Sequence, residues 1–305
     1  MITTIAVQQV RGLMRQRVFV VLLVTMLAMT ALAGVLGWSS HHTIVGVYDE
    51  AVKLLASRGL PAPPNPFLLK PTLSLLSNMV VYIPLIGSLL AVVLGHLSVV
   101  DDEANGIGRL IFSRRLTRTQ YIVGKMCGAA VVLAFVLAAS LLVSWLSLII
   151  VNRSLPAGAD LGRLAAFYTL SWLYLMVFAL IGMVTVLATR RRSLALLSAM
   201  GAWLVITFAV PQITSGLRPT QSLNPIVDPA GTSQAFFRYT SKVRPYSLVE
   251  QYKAVSGTIL RTAATEPTGD TVRHIAPLVA AVVALVVAVV VLVQRHDYSR
   301  GSSNE

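Results

Sequence analysis

Six long apolar runs decide what this chain can fold into. They lie at about 18–37, 79–100, 122–151, 167–189, 194–211 and 275–294; none contains Asp, Glu or Arg, and the third is free of Lys from Met126 onward. At ~1.5 Å of rise per residue, about 20 helical residues cross a hydrocarbon core ~30 Å thick. A helix also pairs its own amides and carbonyls, which lipid cannot do for them. The expected fold class is therefore an all-α polytopic membrane protein, with residues 1–305 forming a single transmembrane domain. A hydrophobic fraction of 55%, a charged fraction of 12% and a mean hydropathy of +0.74 agree with it. A net charge of +13 would suit a nucleic-acid binder, but the basic residues are spread through every polar loop without a binding motif, so no nucleic acid is expected as a partner.

Before the first run, Ile2, Ile5, Ala6, Val10, Leu13 and Met14 fall largely on one side of a helix, with Gln8, Arg11 and Arg15 on the other. This predicts an interfacial helix over 1–17 that meets anionic headgroups. Ala31-Leu32-Ala33 resembles a signal-peptidase site, but the run exceeds the roughly 7–15 residues of a signal-peptide core, so an uncleaved anchor is expected. Residues 38–78, with the cluster Pro61-Ala62-Pro63-Pro64-Asn65-Pro66, read as an exposed loop, with room for a short helix at Tyr48 to Ser57. His41 and His42 have no further ligands nearby, and the lone Cys127 supports neither a disulfide nor a cysteine metal site, so no metal is expected. Pro84 predicts a kink in the second span, and Gly124-x-x-x-Gly128 predicts close helix contact at the start of the third. Arg190-Arg191-Arg192 reads as a tight turn between the fourth and fifth spans, and Pro211 as the end of the fifth. Within the long polar stretch 212–274, Leu248, Tyr252, Val255 and Ile259 recur at helical spacing, predicting a helix laid on the membrane or on a partner subunit. The residues after 294 read as a disordered tail.

The segment Asp101 to Lys125, DDEANGIGRLIFSRRLTRTQYIVGK, is strongly charged between two apolar runs. Asp101 or Asp102 is expected to cap a short new helix, with Glu103 beside its positive end. Ile107, Leu110 and Ile111 make a narrow apolar stripe, and Arg114 and Arg115 suit the negative end. Gly106 and Gly108 each cost about 1 kcal/mol relative to Ala, so the helix needs a surface to dock on, either lipid headgroups or another protein. Thr117-Arg118-Thr119-Gln120 has the form of a capping box and predicts a fresh helix start before the third run.

Here the residues resemble a family. Glu103, Gly106, Leu110, Ser113, Arg118, Gly124 and Lys125 fall without a gap on the pattern E-x-x-G-T-x-x-x-L-x-x-S-x-P-x-x-R, then G-K, carried by permease subunits of ABC-2 type transporters between their second and third membrane helices. The sequence departs from it at Ile107, where the family often has Thr, and at Arg115, where it usually has Pro. The resemblance implies a six-helix permease with an N-terminal elbow helix, a cytoplasmic coupling helix over Glu103 to Arg115 and a large external loop between the fifth and sixth spans. It also implies a separate ABC ATPase in two copies, holding ATP and Mg, and a homodimer of this chain in the bacterial inner membrane. Glu103 would anchor the coupling helix, Ile107, Leu110 and Ile111 would fill the ATPase cleft, and Arg118 and Lys125 would hold the base of the third span at the headgroups.

Orientation and energy source follow from charge. The segments on the side of the termini hold 13 Lys and Arg and the other loops 12, but the first set is far denser, so both termini are expected in the cytoplasm and 212–274 outside. The spans carry no buried carboxylate, and His96 is an isolated imidazole, so a proton relay is not expected. Gly124-Lys125 is followed by Met126, and Thr119 stands where a Walker A loop would begin with Gly, so ATP hydrolysis is not expected from this chain, nor are a zinc-protease or serine-hydrolase motif present. No cofactor is expected in the chain itself. The function these readings imply is the permease subunit of an ATP-driven exporter; the alternative is a membrane scaffold or sensor that binds an external protein through 212–274.

Overall fold

The computed structural model describes residues 2–61, 72–104, 117–152, 156–189, 191–215, 239–261 and 268–295. Among them every regular element is helical, and six stretches are long and apolar enough to cross a membrane, so the all-α, six-span class is the one observed. A short helix α1 (Ile2–Arg15) precedes the first span, α2 (Arg17–Ser57). The second span is α3 (Met79–Tyr82), a π-turn at Ile83–Gly87 and α4 (Ser88–Ala104). The third is α5 (Arg118–Asn152) and the fourth α6 (Gly158–Ala188). The fifth is α7 (Arg192–Leu204), a π-turn at Val205–Ala209 and α8 (Val210–Ser215). A further helix, α9 (Leu248–Ile259), precedes the sixth span, α10 (Thr268–Arg295).

The fourth span sits at the centre. It is apolar around its whole circumference, the pattern of a helix buried on all faces, and α4, α5, α7, α9 and α10 all pack on it. Its tightest neighbour is α4. A Cβ added at Gly95 would run into the backbone of Ala179, and one at Gly182 into the carbonyl of Val92 and the amide of His96. In lipid, where apolar burial drives nothing, such close approach supplies the attraction between helices. His96 is buried at this crossing.

Two prolines shape the spans without ending them. Pro84 lies inside the first π-turn, where the Ser88 amide donates to the Ile83 carbonyl five residues back. Pro211 follows the second, where the Val210 amide donates to Val205. Proline removes one ladder bond and crowds the preceding turn, and a π-turn absorbs both effects. Pro84 thus falls in a π-turn within the second span, and the fifth span does not stop at Pro211; it continues to Ser215. Trp203 Nε1 donates to Ser88 Oγ at 2.7 Å, tying the end of α7 to the start of α4.

Three further expectations need correction. The stretch 38–78 is not an open loop throughout, because α2 continues to Ser57 and Leu73 and Leu76 are buried in a 3-10 turn at Thr72–Leu76. Nothing in Trp38 to Ser57 breaks a helix. The stop comes at Gly59, left-handed at φ 69°, where Gly59 N donates to Ala56 O and Leu60 N to Leu55 O, a Schellman ending just before Pro61. At 41 residues α2 is about 60 Å long, roughly twice the hydrocarbon thickness. Second, Asp101 and Asp102 do not cap a new helix: α4 runs through them to Ala104, since extending a formed helix adds a hydrogen bond per residue whereas a new start must be nucleated. Third, α9 has the expected helical bounds but lies on this chain's own bundle. Val249, Tyr252 and Val255 are buried, Tyr252 shares a 2.9 Å hydroxyl bond with Ser171, and its ring lies 4.6 Å from that of Tyr174. Gln251 Oε1 meets His274 Nδ1 of α10, while Gln251 Nε2 donates to the Arg244 carbonyl at 3.2 Å. The adjacent Glu250, also buried, pairs with Arg244 at 3.4 Å.

Candidate coupling site at the base of the third span

The first eight residues of α5 join it to α1 and to α10. The helix starts where the capping box predicts: Gln120 N donates to Thr117 Oγ1 at 3.3 Å, and Thr117 N donates to Gln120 Oε1 at 3.4 Å. Each side chain thereby satisfies an amide that the helix start would leave open. Arg118 Nη1 donates to the Gln294 carbonyl at 2.8 Å, placing a cation on the negative C-terminal end of α10. The base of the third span is thus joined to the end of the sixth.

About two turns further in, the structure differs from the expectation for Lys125. Rather than reaching headgroups, its side chain is buried, 4% exposed. Its Nζ donates to Gln9 Oε1 at 2.5 Å and lies 5.6 Å from the centroid of the Tyr121 ring. A buried ammonium costs several kcal/mol unless its protons find acceptors, and the amide oxygen that α1 supplies is one acceptor for the inward-turned Lys125. Gln9 is itself buried and donates from Nε2 to the Ser98 carbonyl of α4 at 3.5 Å. A single amide therefore touches the second and third spans and belongs to α1.

The glycine spacing explains how α1 comes so close. A Cβ at Gly124 would stand 2.7 Å from Ile5 Cγ2, and one at Gly128 would stand 2.5 Å from Gln9 Cγ. The expected close contact of Gly124-x-x-x-Gly128 is therefore made, and its partner is α1. Along α1 the inward line is Ile5, Gln9 and Leu13, spaced four apart, and Leu13 is fully buried. Gln8, Arg11 and Arg15 are exposed, as the amphipathic pattern requires.

The structure assembles part of the site read from the sequence. Arg118 and Lys125 stand on one helix and reach different partners. Glu103 lies in the last turn of α4, in its backbone only; Gly106, Ile107, Leu110, Ile111, Arg114 and Arg115 lie outside the described residues. Gln9, Ser98 and Gln294 are added by the structure. Gln9 could have been found as the polar residue between Ile5 and Leu13 in a line spaced four apart, whereas Ser98 and Gln294 act through backbone carbonyls and leave no sequence signal.

A family model described as ABC-2 family transporter protein matches residues 3–298. No curated protein matches the chain. The match spans nearly the whole length, takes in the six spans and agrees with the motif that links the second and third, so the chain belongs to the ABC-2 transporter family and is a multi-pass membrane component of a transporter, not itself catalytic.

Proposed function

We propose that the chain is the permease subunit of an ATP-driven exporter, acting as a homodimer with two copies of a separate ABC ATPase. The observation that carries this reading is the family match over residues 3–298. Residues 103–115 act as the coupling helix, with Ile107, Leu110 and Ile111 in the ATPase cleft, Glu103 anchoring its start and Arg114 and Arg115 at its end. Both ends of that segment join elements tied to the rest of the bundle: α4 to the fourth span, and α5 to α1 and α10. A push on it would therefore reach four of the six spans. ATP closure would rock them as rigid bodies between inward and outward states. Both termini lie in the cytoplasm of a bacterial cell, with 239–261 on the outer side.

The test is recovery of the ATPase with wild type, Leu110→Ala and Leu110→Asp, all three checked for equal membrane insertion. A large apolar side chain seated in a pocket contributes about 1.5–3 kcal/mol, and its loss leaves a cavity as well. Ala should weaken binding about tenfold or more, and Asp further, because it takes an unpaired charge into an apolar cleft. Equal recovery of the ATPase by all three refutes the coupling role of 103–115.

A further inference from the structure

We propose that Gln9 is a positioning residue of the coupling machinery, its side-chain amide holding α1, the end of the second span and the base of the third as one unit. The inference rests on the transport reading above and adds to it a residue that lies almost a hundred positions from the coupling segment. Gln9 uses both halves of its amide, accepting from Lys125 Nζ at 2.5 Å and donating to the Ser98 carbonyl at 3.5 Å. All three residues are buried, with exposures of 7%, 4% and 1%. The stem of Gln9 occupies the notch left by Gly128, which brings the amide within reach of both α4 and α5. Among the side chains that fit this notch, Leu fills it without polar reach, Glu accepts but cannot donate, and Asn is one methylene too short to span from α1 to both neighbours. α4 ends six residues after Ser98, and α5 begins seven residues before Lys125. Gln9 bridges the two helices just inside those ends, and it adds α1 to whatever displaces them.

A packing role and a positioning role predict different orders among variants. The full chain is purified with its ATPase in lipid nanodiscs as wild type, Gln9→Leu, Gln9→Glu and Gln9→Ala, with Gln8→Leu, an exposed neighbour, as control. ATP hydrolysis per bound ATPase is measured, together with amide hydrogen exchange over residues 2–15. If the amide positions α1, Gln9→Leu lowers hydrolysis at least fivefold and speeds exchange in α1 about tenfold, with ATPase recovery unchanged. Gln9→Glu keeps at least half of wild-type hydrolysis, because the bond from Lys125 survives. If Gln9 only fills space, Leu matches wild type in both readouts and Ala alone is impaired; that result overturns the proposal. Failure of any ATPase to accompany the wild type refutes the transport reading instead, and the exchange measurement still decides the role of Gln9.

Discussion

Gly182→Ala should be among the most damaging small substitutions in the bundle. The added Cβ would stand 2.8 Å from the His96 amide nitrogen and closer still to the Val92 carbonyl. Both are backbone atoms of a helix locked by its own hydrogen bonds, so neither can rotate aside. Ordinary contact lies near 3.4 Å or beyond, and with the Val92 carbonyl at 2.3 Å relief demands that the second and fourth spans part by about 1 Å along their closest line. Overpacking of this kind costs about 1–3 kcal/mol, and with backbone on both sides the upper end applies. Against it stands the gain of up to about 1 kcal/mol that Ala brings to a helix interior. The net loss is about 2 kcal/mol, or roughly 4–8 °C in the thermal midpoint at ~2–4 °C per kcal/mol for a chain of this order of size. Gly201→Ala in the fifth span is the matched control, since nothing lies within 4 Å of a Cβ there, and it should leave the midpoint unchanged or raise it. The assay is thermal unfolding of both variants in the same detergent, followed by intrinsic tryptophan fluorescence and by loss of monodisperse protein. A Gly182→Ala midpoint equal to that of Gly201→Ala would refute the backbone contact.

Other variants test the remaining joints. Thr117→Ala removes half of the capping box and should destabilise the start of α5 by about 1 kcal/mol, seen as faster hydrogen exchange at residues 118–121. Tyr252→Phe loses the hydroxyl bond to Ser171 while keeping the ring and should cost about 1 kcal/mol, whereas Tyr252→Ala should cost about 3–5 kcal/mol, both read as thermal midpoints. In a Cys127→Ala background, Ser57→Cys should react with an impermeant thiol reagent in intact cells and Gln8→Cys should not; both positions are exposed, so the reverse pattern would invert the topology.

The sequence was legible where one constraint acted alone. Absence of charge located the six spans, and the reciprocal needs of Thr117 and Gln120 located the start of α5. Residues that usually signal an end of helix were less reliable. Pro211 and the pair Asp101-Asp102 mark breaks in water, where solvent takes up the freed backbone groups. At the end of a long span, continuing the ladder, with a π-turn where needed, leaves fewer groups unpaired. The true stop of α2 was readable in Arg58-Gly59-Leu60-Pro61, a glycine followed by proline, but the Pro-rich run after it drew the loop boundary too early. The inward turn of Lys125 could not be read locally, because it depends on Gln9, 116 residues away. For α9 the apolar line showed that a face would be buried, and only the fold shows that the fourth span covers it.

The two glycine joints differ in what they meet, and this difference bears on where the bundle can move. At Gly95 and Gly182 backbone faces backbone, so the second and fourth spans form a stiff pair that translates together or not at all. At Gly124 and Gly128 the backbone of α5 faces the side chains of Ile5 and Gln9, which can change rotamer, so α1 can roll on the third span while remaining attached. On the transport reading, a displacement entering at 103–115 then divides in two. Along α4 it passes to the fourth span through the rigid crossing and on to the elements packed around that span. Along α5 it meets a compliant joint whose rest position is fixed by one amide and one ammonium, and a second tie, Arg118 to Gln294, that turns the sixth span with it. On that reading the polar contacts at the base set the starting geometry, and the apolar crossing in the middle carries the stroke.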